Sequence, residues 1–380
     1  MNNEPIKLPM AADQGEEAVC CPEEPLLLSY GDPAEANWVT GQLETTAGSV
    51  YRIATNPDRH DLIGSFKARW GFGRMNYTIP PALYAVGKPD NTSPVLVSAN
   101  YKLSFDHLRR ELTGLNLWIL VLDTKGINVW CAAGKGSFGT AELLRMIDAT
   151  RLVEVVSHRT LILPQLAAPG VSAHTVRKES GFRVVYGPVR AADIPAFLSA
   201  GNKAEPAMRR TQFNLPDRLV LAPVELTGMI VPLSIFGAAL FLLNLAALVI
   251  KGSLVSFSLL ISQTLSELAP FFIAMLVGII LVPALLPYIP GRPLAWKGWV
   301  LGMLWTFIYT TFISVPAGWL HTATFYLTLP AITAFLGMNF TGSTTYTSLS
   351  GVIKEMGYAL PVIIFSAGLG LVALVAGYFV

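Results

Sequence analysis

Of the 52 charged residues in this 380-residue chain, only Lys251, Glu267, Arg292, Lys297, Lys354 and Glu355 lie beyond residue 227. A segment that long, folding in water, would need charge over its surface; one nearly free of charge is suited to lipid. Met229–Ile250 carries no charge and matches the roughly 20 apolar residues that a spanning helix requires. Similar runs follow at 268–289, 298–318, 320–338 and 356–380, the fourth diluted by His321 and several threonines. The expectation is an all-α membrane domain of five transmembrane helices over 228–380.

Basic residues set the orientation of such a domain. Arg209, Arg210, Arg218, Arg292, Lys297 and Lys354 fall on the side of the N-terminal half, against Lys251 on the other. This predicts a multi-pass inner-membrane protein with a cytoplasmic N-terminal domain and its C-terminus outside. The opening MNNEPIKLPM lacks a basic-then-apolar pattern, so no cleaved signal peptide is expected.

The first half reads as tail, domain and linker. Residues 1–50 are expected to be a tail and irregular structure, 51–202 an α/β domain, and 203–227 a polar linker. Val95–Ala99, Leu117–Leu122, Leu152–Val156, Leu161–Leu163 and Arg183–Tyr186 have the apolar runs of strands. LWILVL at 117–122 is apolar throughout, as in a parallel strand covered on both faces. Helical patterns fall at Phe105–Leu112, Ala141–Ala149 with Thr140 as N-cap, His174–Glu179 and Ala192–Leu198. This alternation predicts a Rossmann-like sandwich that binds ligands beyond the carboxyl ends of its strands. A net charge of +2, without a basic stripe, gives no sign of nucleic-acid binding.

The candidate site follows the second of those strands. In Asn128-Val-Trp-Cys-Ala-Ala-Gly-Lys135, Asn128 is a plausible N-cap, which places Cys131 at the third helical position. Helix dipole and Lys135 would there favour a thiolate, while the small residues at 132–136 leave room for a broad, flat ligand. A soft metal ligand and a buried structural cysteine both fit these residues. Cys20 and Cys21, in an acidic, proline-rich tail, could trap a soft metal or be incidental. Three cysteines in all form no disulfide framework.

A rival reading uses the same segment. Gly134-Lys-Gly-Ser-Phe-Gly139 fits G-x-G-x-x-G, INVWCAA could be its feeding strand, and Glu154 lies twenty residues beyond Gly134. Against it, Glu154 falls within an expected strand, and two strands would follow one another with only a short link. Asp58-Arg-His60 begins like a cobalamin-binding signature that its next residues do not complete. His107, His158 and His174 lack ligand spacing. His321 and the threonine-rich stretch 341–347 would serve a transporter, or simply helix packing.

NVWCAAGK at 128–135 resembles the signature of the HgcA family of mercury-methylating corrinoid proteins. The order of parts, the segment Pro81–Pro89 and the DTKGINVW run share that look. The corrinoid domain is in turn similar to that of the large subunit of the corrinoid iron–sulfur protein of acetyl-CoA synthesis. The resemblance implies a cobalamin-type corrinoid, with Cys131 as the lower axial ligand to cobalt and as the catalytic residue. It implies that Asn128, Val129, Trp130, Ala132, Ala133, Gly134 and Lys135 shape the lower face of the corrin ring. Asn100, Tyr101, Gln165, Pro169 and Gly170, with the turn 186–188, would wrap it. The implied reaction moves a methyl carbanion equivalent from Cys-ligated methyl-Co(III) to Hg(II), forming methylmercury. Implied partners are a ferredoxin-like iron–sulfur protein, HgcB, as electron donor and Hg(II) source, and a folate-linked methyl donor. A membrane-anchored corrinoid methyl carrier of one-carbon metabolism would use the same Cys131, and a dinucleotide-binding membrane protein remains a further alternative.

Overall fold

In the computed structural model, residues 30–252, 256–314, 318–340, 345–346 and 349–379 are described. Cys20 and Cys21 lie outside them, as does most of the threonine-rich stretch 341–347. The first strands come earlier than the sequence suggests. β1 (Val39–Thr45) and β2 (Gly48–Ile53) form an antiparallel hairpin inside what reads as an irregular tail. β1 is an edge strand, exposed at four of its seven residues, and the hairpin packs only partly on the sheet's two cores, through Leu43 and Val50 on one face and Val39 and Tyr51 on the other.

Helix α1 (Arg59–Arg69) begins at a capping box in which Asp58 and Asp61 each accept from the other's backbone amide. β3 (Leu83–Val86), β4 (Val95–Ala99), α2 (Lys102–Arg110) and β5 (Leu117–Leu122) follow. Next come three helices, α3 (Val129–Lys135), α4 (Thr140–Ala149) and α5 (Leu152–Val155), then β6 (Thr160–Leu163), α6 (Ala173–Ser180), β7 (Arg183–Tyr186) and α7 (Ile194–Ser199). The α5 segment reads as a strand from its valines. It folds as a helical turn after Arg151, which adopts a left-handed φ of 48° and ion-pairs with Glu154. Gly139 rather than Thr140 caps α4, and the Thr140 hydroxyl instead accepts from the Ser172 amide at 2.8 Å.

The sheet has seven strands in the order β1-β2-β3-β5-β4-β6-β7. β5, β4, β6 and β7 run parallel, whereas β3 is antiparallel to β5, so the sheet is mixed. Every residue of β3, β4 and β5 is buried, as expected for strands covered on both faces. One face packs under α3, α4, α5 and α6 through Val97, Leu120, Phe138, Leu143 and Val176. The other packs under α2 and α7 through Leu96, Ile119, Phe105 and Phe197. Chain order reverses at β4, with β5 to one side and β6 to the other.

A short helix α8 (Leu215–Leu219) leads into α9 (Ala222–Ile250). α10 (Phe257–Leu276) passes through a π turn at Val277–Leu281 into α11 (Val282–Leu285), followed by α12 (Leu294–Ile308), α13 (Trp319–Asn339) and α14 (Leu349–Phe379). Among the described residues three helices are long and apolar enough to cross a membrane: Leu215–Ile250, Phe257–Leu285 and Ser350–Phe379. The runs forecast at 298–318 and 320–338 correspond to α12, with its π turn at Tyr309–Ile313, and to α13. They do not reach that standard, so five spans are not established. α13 carries buried Thr324, Thr328 and Thr333, whose hydroxyls return to carbonyls one turn back. Wedged between α12 and α14, it needs no wholly apolar surface. A Cβ on Gly302 would lie 2.6 Å from Pro330 Cα, and one on Gly370 2.4 Å from Thr328 Cγ2.

Candidate functional site

β4 and β6 pair only at Val95↔Leu161 and Leu96↔Ile162, although both strands continue beyond. The two carboxyl ends therefore part where the chain order reverses, the position at which open α/β sheets receive ligands. A cavity of about 380 Å³ occupies the gap, lined by Leu96, Ser98, Ile162 and Leu163 of the strands and by Ser104 and Leu108 of α2. Pro164, Leu166, Gly187 and Pro188 close one side, and the first turn of α3, through Asn128, Val129 and Trp130, closes another.

The position of α3 is set by a polar knot. Asn100, fully buried at the end of β4, uses Oδ1 to accept from the Thr124 amide at 3.0 Å, the Thr124 hydroxyl at 2.9 Å and the Gly126 amide at 3.0 Å. Its Nδ2 donates to Asp123 at 3.2 Å. Tyr30 also donates to Asp123, at 2.6 Å; burial and then that carboxylate push the Tyr30 phenol up to about 12. This knot folds 123–127 into a fixed launch for α3, and Gly126, with φ +70°, has no space for a side chain beside Thr78 and Met75.

Asn128 then caps α3, accepting from the Cys131 amide at 3.0 Å. Ala132 and Ala133 are buried beneath the helix, whereas Trp130, Cys131, Gly134 and Lys135 are exposed above it. A Cβ on Gly134 would meet nothing within 4 Å, so bare backbone lies open beside the thiol. Gly170 presses on the underside: a Cβ there would come within 2.3 Å of Phe138 O and 2.9 Å of Ala133 Cα. The upper surface is thus a thiol, an indole edge, an ammonium group and open main chain, held on a rigid base.

The sequence-nominated residues fall into groups. Asn128, Val129 and Trp130 line the cavity, and Cys131, Gly134 and Lys135 extend the exposed surface beside it. Ala132, Ala133 and Gly170 support the helix from below. Pro169 is exposed and Gln165 half-buried, its Oε1 accepting from Arg209 at 3.0 Å. Asn100 holds the loop rather than facing the cavity. Tyr101 caps α2 with its ring buried under Arg74; burial lifts its phenol above the usual range against the pull of Arg74 and Arg69. Its hydroxyl has no hydrogen-bond partner among the described residues.

Two contributors were not foreseen. Ser104 and His107 of α2 face the cavity. His107 keeps an exposed edge, yet burial of its ring, then Arg69 and Arg110, hold it below the ordinary histidine range. Arg69 lies 2.9 Å from His107 Nε2, a contact that suits a neutral ring accepting from the guanidinium. The position of His107 one turn into the helix after β4 was the available signal.

The dinucleotide reading loses its geometry. INVWCAA supplies helix α3 instead of a strand feeding Gly134, and Glu154 sits in α5 paired with Arg151. Among the described residues no three of His, Cys, Asp and Glu gather as a metal site.

Residues 74–198, from just before β3 to α7, match the family model described as CO dehydrogenase/acetyl-CoA synthase delta subunit. Over 146 residues the chain is 30% identical to the acetyl-CoA decarbonylase/synthase complex subunit gamma of Archaeoglobus fulgidus, covering 37% of this chain and 31% of that protein. The corresponding subunit of Methanothermobacter thermautotrophicus is 29% identical over 179 residues, covering 45% and 39% respectively. That of Methanopyrus kandleri is 32% identical over 122 residues, covering 32% and 26%. The chain spans well under half the length of each of these relatives. The family match contains β4, α3, β6 and the cavity between them, so the likeness is concentrated on the site, and the apolar C-terminal half lies outside it.

Proposed function

We propose that this chain is a membrane-bound, corrinoid-dependent methyltransferase in which Cys131 ligates cobalt and Hg(II) accepts the methyl group. The observation that carries this reading is the exposed Cys131 thiol on a short, braced helix beside the open backbone of Gly134. That surface lies in the segment shared with the acetyl-CoA synthase relatives.

The donor set suits the cofactor. A corrin ring brings most of the metal's donors itself; from this chain the exposed Cys131 thiol would add a further one, and the open backbone at Gly134 would let a flat ring approach. The neighbouring cavity, within the range of small-molecule pockets, would take the corrinoid's nucleotide appendage but not the ring itself. When bound, the corrinoid supplies a methyl group carried on cobalt. Cys131 would hold the cobalt, and its soft sulfur would favour transfer of the methyl group to a soft, electron-poor acceptor. Asn128 fixes the direction of the thiol by capping the turn that bears it. Lys135 places positive charge near the rim, and Trp130 shields the edge nearest the cavity from water.

A ferredoxin-like partner of the HgcB type would return electrons, a folate-linked donor would restore the methyl group, and the C-terminal helices, five spans with the α/β domain cytoplasmic, would hold the protein at the inner membrane. A second reading, a methyl carrier of one-carbon metabolism using the same Cys131, is favoured by the likeness to acetyl-CoA decarbonylase/synthase subunits. The test is the anaerobic visible spectrum of the full chain loaded with methylcobalamin, beside Cys131→Ala, followed by addition of Hg(II) or a thiol. Sulfur ligation lost in the variant, with methylmercury formed, supports the first reading; methyl transfer to thiol alone supports the second. Failure of the folded chain to bind corrinoid refutes both.

A further inference from the structure

Helix α1 is built inside out for a helix in water. Its inward face carries Asp61, Gly64 and Ala68: Asp61 is 1% exposed, and a Cβ on Gly64 would lie 2.6 Å from the Tyr77 hydroxyl. Asp61 ion-pairs with Lys102 at 2.6 Å and with Arg109 at 2.5 Å, both on α2. The outward face carries Leu62, Ile63 and Phe66, which are 61%, 55% and 60% exposed, and the following turn adds Phe72 and Met75 at 63% and 67%. Water-facing helices place charge outside and apolar groups inside. Here ion pairs fasten the helix from beneath and leave its apolar side open.

The place of this patch identifies what covers it. The turn after α1 packs on the start of α9. Thr227 donates from its hydroxyl to the Trp70 carbonyl at 2.9 Å, and a Cβ on Gly71 would meet both Thr227 and Val224 at 3.3 Å. Thr227 already lies in the uncharged run Leu226–Ile250, bounded by Glu225 and Lys251. That run of 25 residues is about 37 Å long at roughly 1.5 Å per residue, longer than the roughly 30 Å hydrocarbon core. Its first turn therefore sits at the lipid–water boundary, level with Trp70 and Gly71. Arg59 and Lys67 flank the patch on α1, where anionic headgroups would meet them.

We propose that α1 and the turn 70–75 form an interfacial membrane element, with Leu62, Ile63, Phe66, Phe72 and Met75 in the headgroup and upper acyl layer. Because Asp61 ties this element to α2, whose Ser104 and His107 line the cavity, the bilayer fixes the height and tilt of the site as well as tethering the chain. The inference rests on the C-terminal helices spanning a membrane, and its test separates the two claims.

Spin labels at Phe66→Cys and Met75→Cys, in the full chain with Cys20→Ser, Cys21→Ser and Cys131→Ala, would be read in nanodiscs of phosphatidylethanolamine and phosphatidylglycerol. Collision with oxygen and with an aqueous nickel chelate reports depth. Ile235→Cys, 66% exposed on α9, marks the bilayer, and Lys88→Cys marks water. The expected result is an oxygen-to-nickel ratio at positions 66 and 75 several-fold above that at 88. Ratios equal to that at 88, with 235 oxygen-rich, overturn the proposal and leave the spanning reading intact. An aqueous ratio at 235 overturns both. Shielding of 66 and 75 from both reagents overturns it in favour of a protein contact. Both replaced residues are exposed, so neither variant opens the core.

Discussion

Asn100 Oδ1 accepts the Gly126 amide at 3.0 Å across 26 residues of sequence, and with that bond the end of β4 governs where α3 begins. Asn100→Ala would leave the buried Thr124 and Gly126 amides without that acceptor, at a cost of about 1–3 kcal/mol for each unsatisfied group. The expected outcome is a lower melting temperature by near-ultraviolet circular dichroism in detergent. A loss of corrinoid affinity should accompany it, although Cys131 is untouched.

Cys131→Ala should behave in the opposite way. The thiol is exposed, so stability should stay within about 0.5 kcal/mol of the parent. Corrinoid sulfur ligation, read in the visible spectrum, should vanish. A destabilised variant would show that the thiol supports the fold.

Two glycines separate surface from foundation. Gly134→Ala meets open space inside a helix and should raise stability by up to about 1 kcal/mol, while crowding the face that a flat ligand would use. Gly170→Ala drives a methyl group into Phe138 and Ala133 and should cost about 1–3 kcal/mol. Paired melting and corrinoid-binding curves distinguish them: affinity falls in both, stability in the second alone.

Acid should loosen α1 through Asp61. Burial alone would raise this carboxyl's pKa, but Lys102 and then Arg109 outweigh burial and hold it below the ordinary aspartate value. A group with a depressed folded pKa contributes stability above its unfolded pKa, about 3.9, and loses that contribution as pH falls through the lower folded value. Stability of the α/β domain should therefore decline below about pH 4. In Asp61→Asn that part of the decline should be absent, with a cost of up to about 3–5 kcal/mol at neutral pH, because Asp106 alone is left to balance the buried Lys102 and Arg109. Denaturant midpoints across the acid range would check both.

Arg218 fastens the linker to the helical half, donating from one guanidinium nitrogen to Pro283 O at 2.9 Å and Ala284 O at 2.7 Å. Arg218→Ala should cost about 1.5–3 kcal/mol, as for hydrogen bonds from a charged donor. Limited proteolysis in detergent should then cut faster between residues 203 and 214.

Periodicity and composition made much of this legible. LWILVL at 117–122 reads as a strand covered on both faces and is one, and of the two readings open for 128–135, a capped helix or a strand feeding a glycine turn, the fold takes the helix that Asn128 caps. The β1–β2 hairpin is not legible because β1, an edge strand, is only partly buried and carries too few apolar residues to mark a period of two, so that Val39–Thr45 reads as polar loop. α1 stayed hidden for the converse reason: its apolar residues face outward, although Asp58 and Asp61 at capping-box spacing were a signal. Asn100 has a residue type that fits a ligand contact and a loop anchor alike, and only the fold shows that its side chain reaches Thr124, Gly126 and Asp123. The valines of α5 read as a strand, and the left-handed turn at Arg151 sets them in a helical turn instead.

The early parting of β4 and β6 carries a lesson about inheritance. Beyond Leu96 and Ile162 neither strand has the other as a ladder partner, so the frame of the cavity is main chain and topology, which side-chain substitution does not erase. A chain can exchange most of its residues and still keep an opening of this shape at this place. Both strands and the gap between them lie within the segment 74–198 that matches the family model, and the apolar C-terminal half lies outside it.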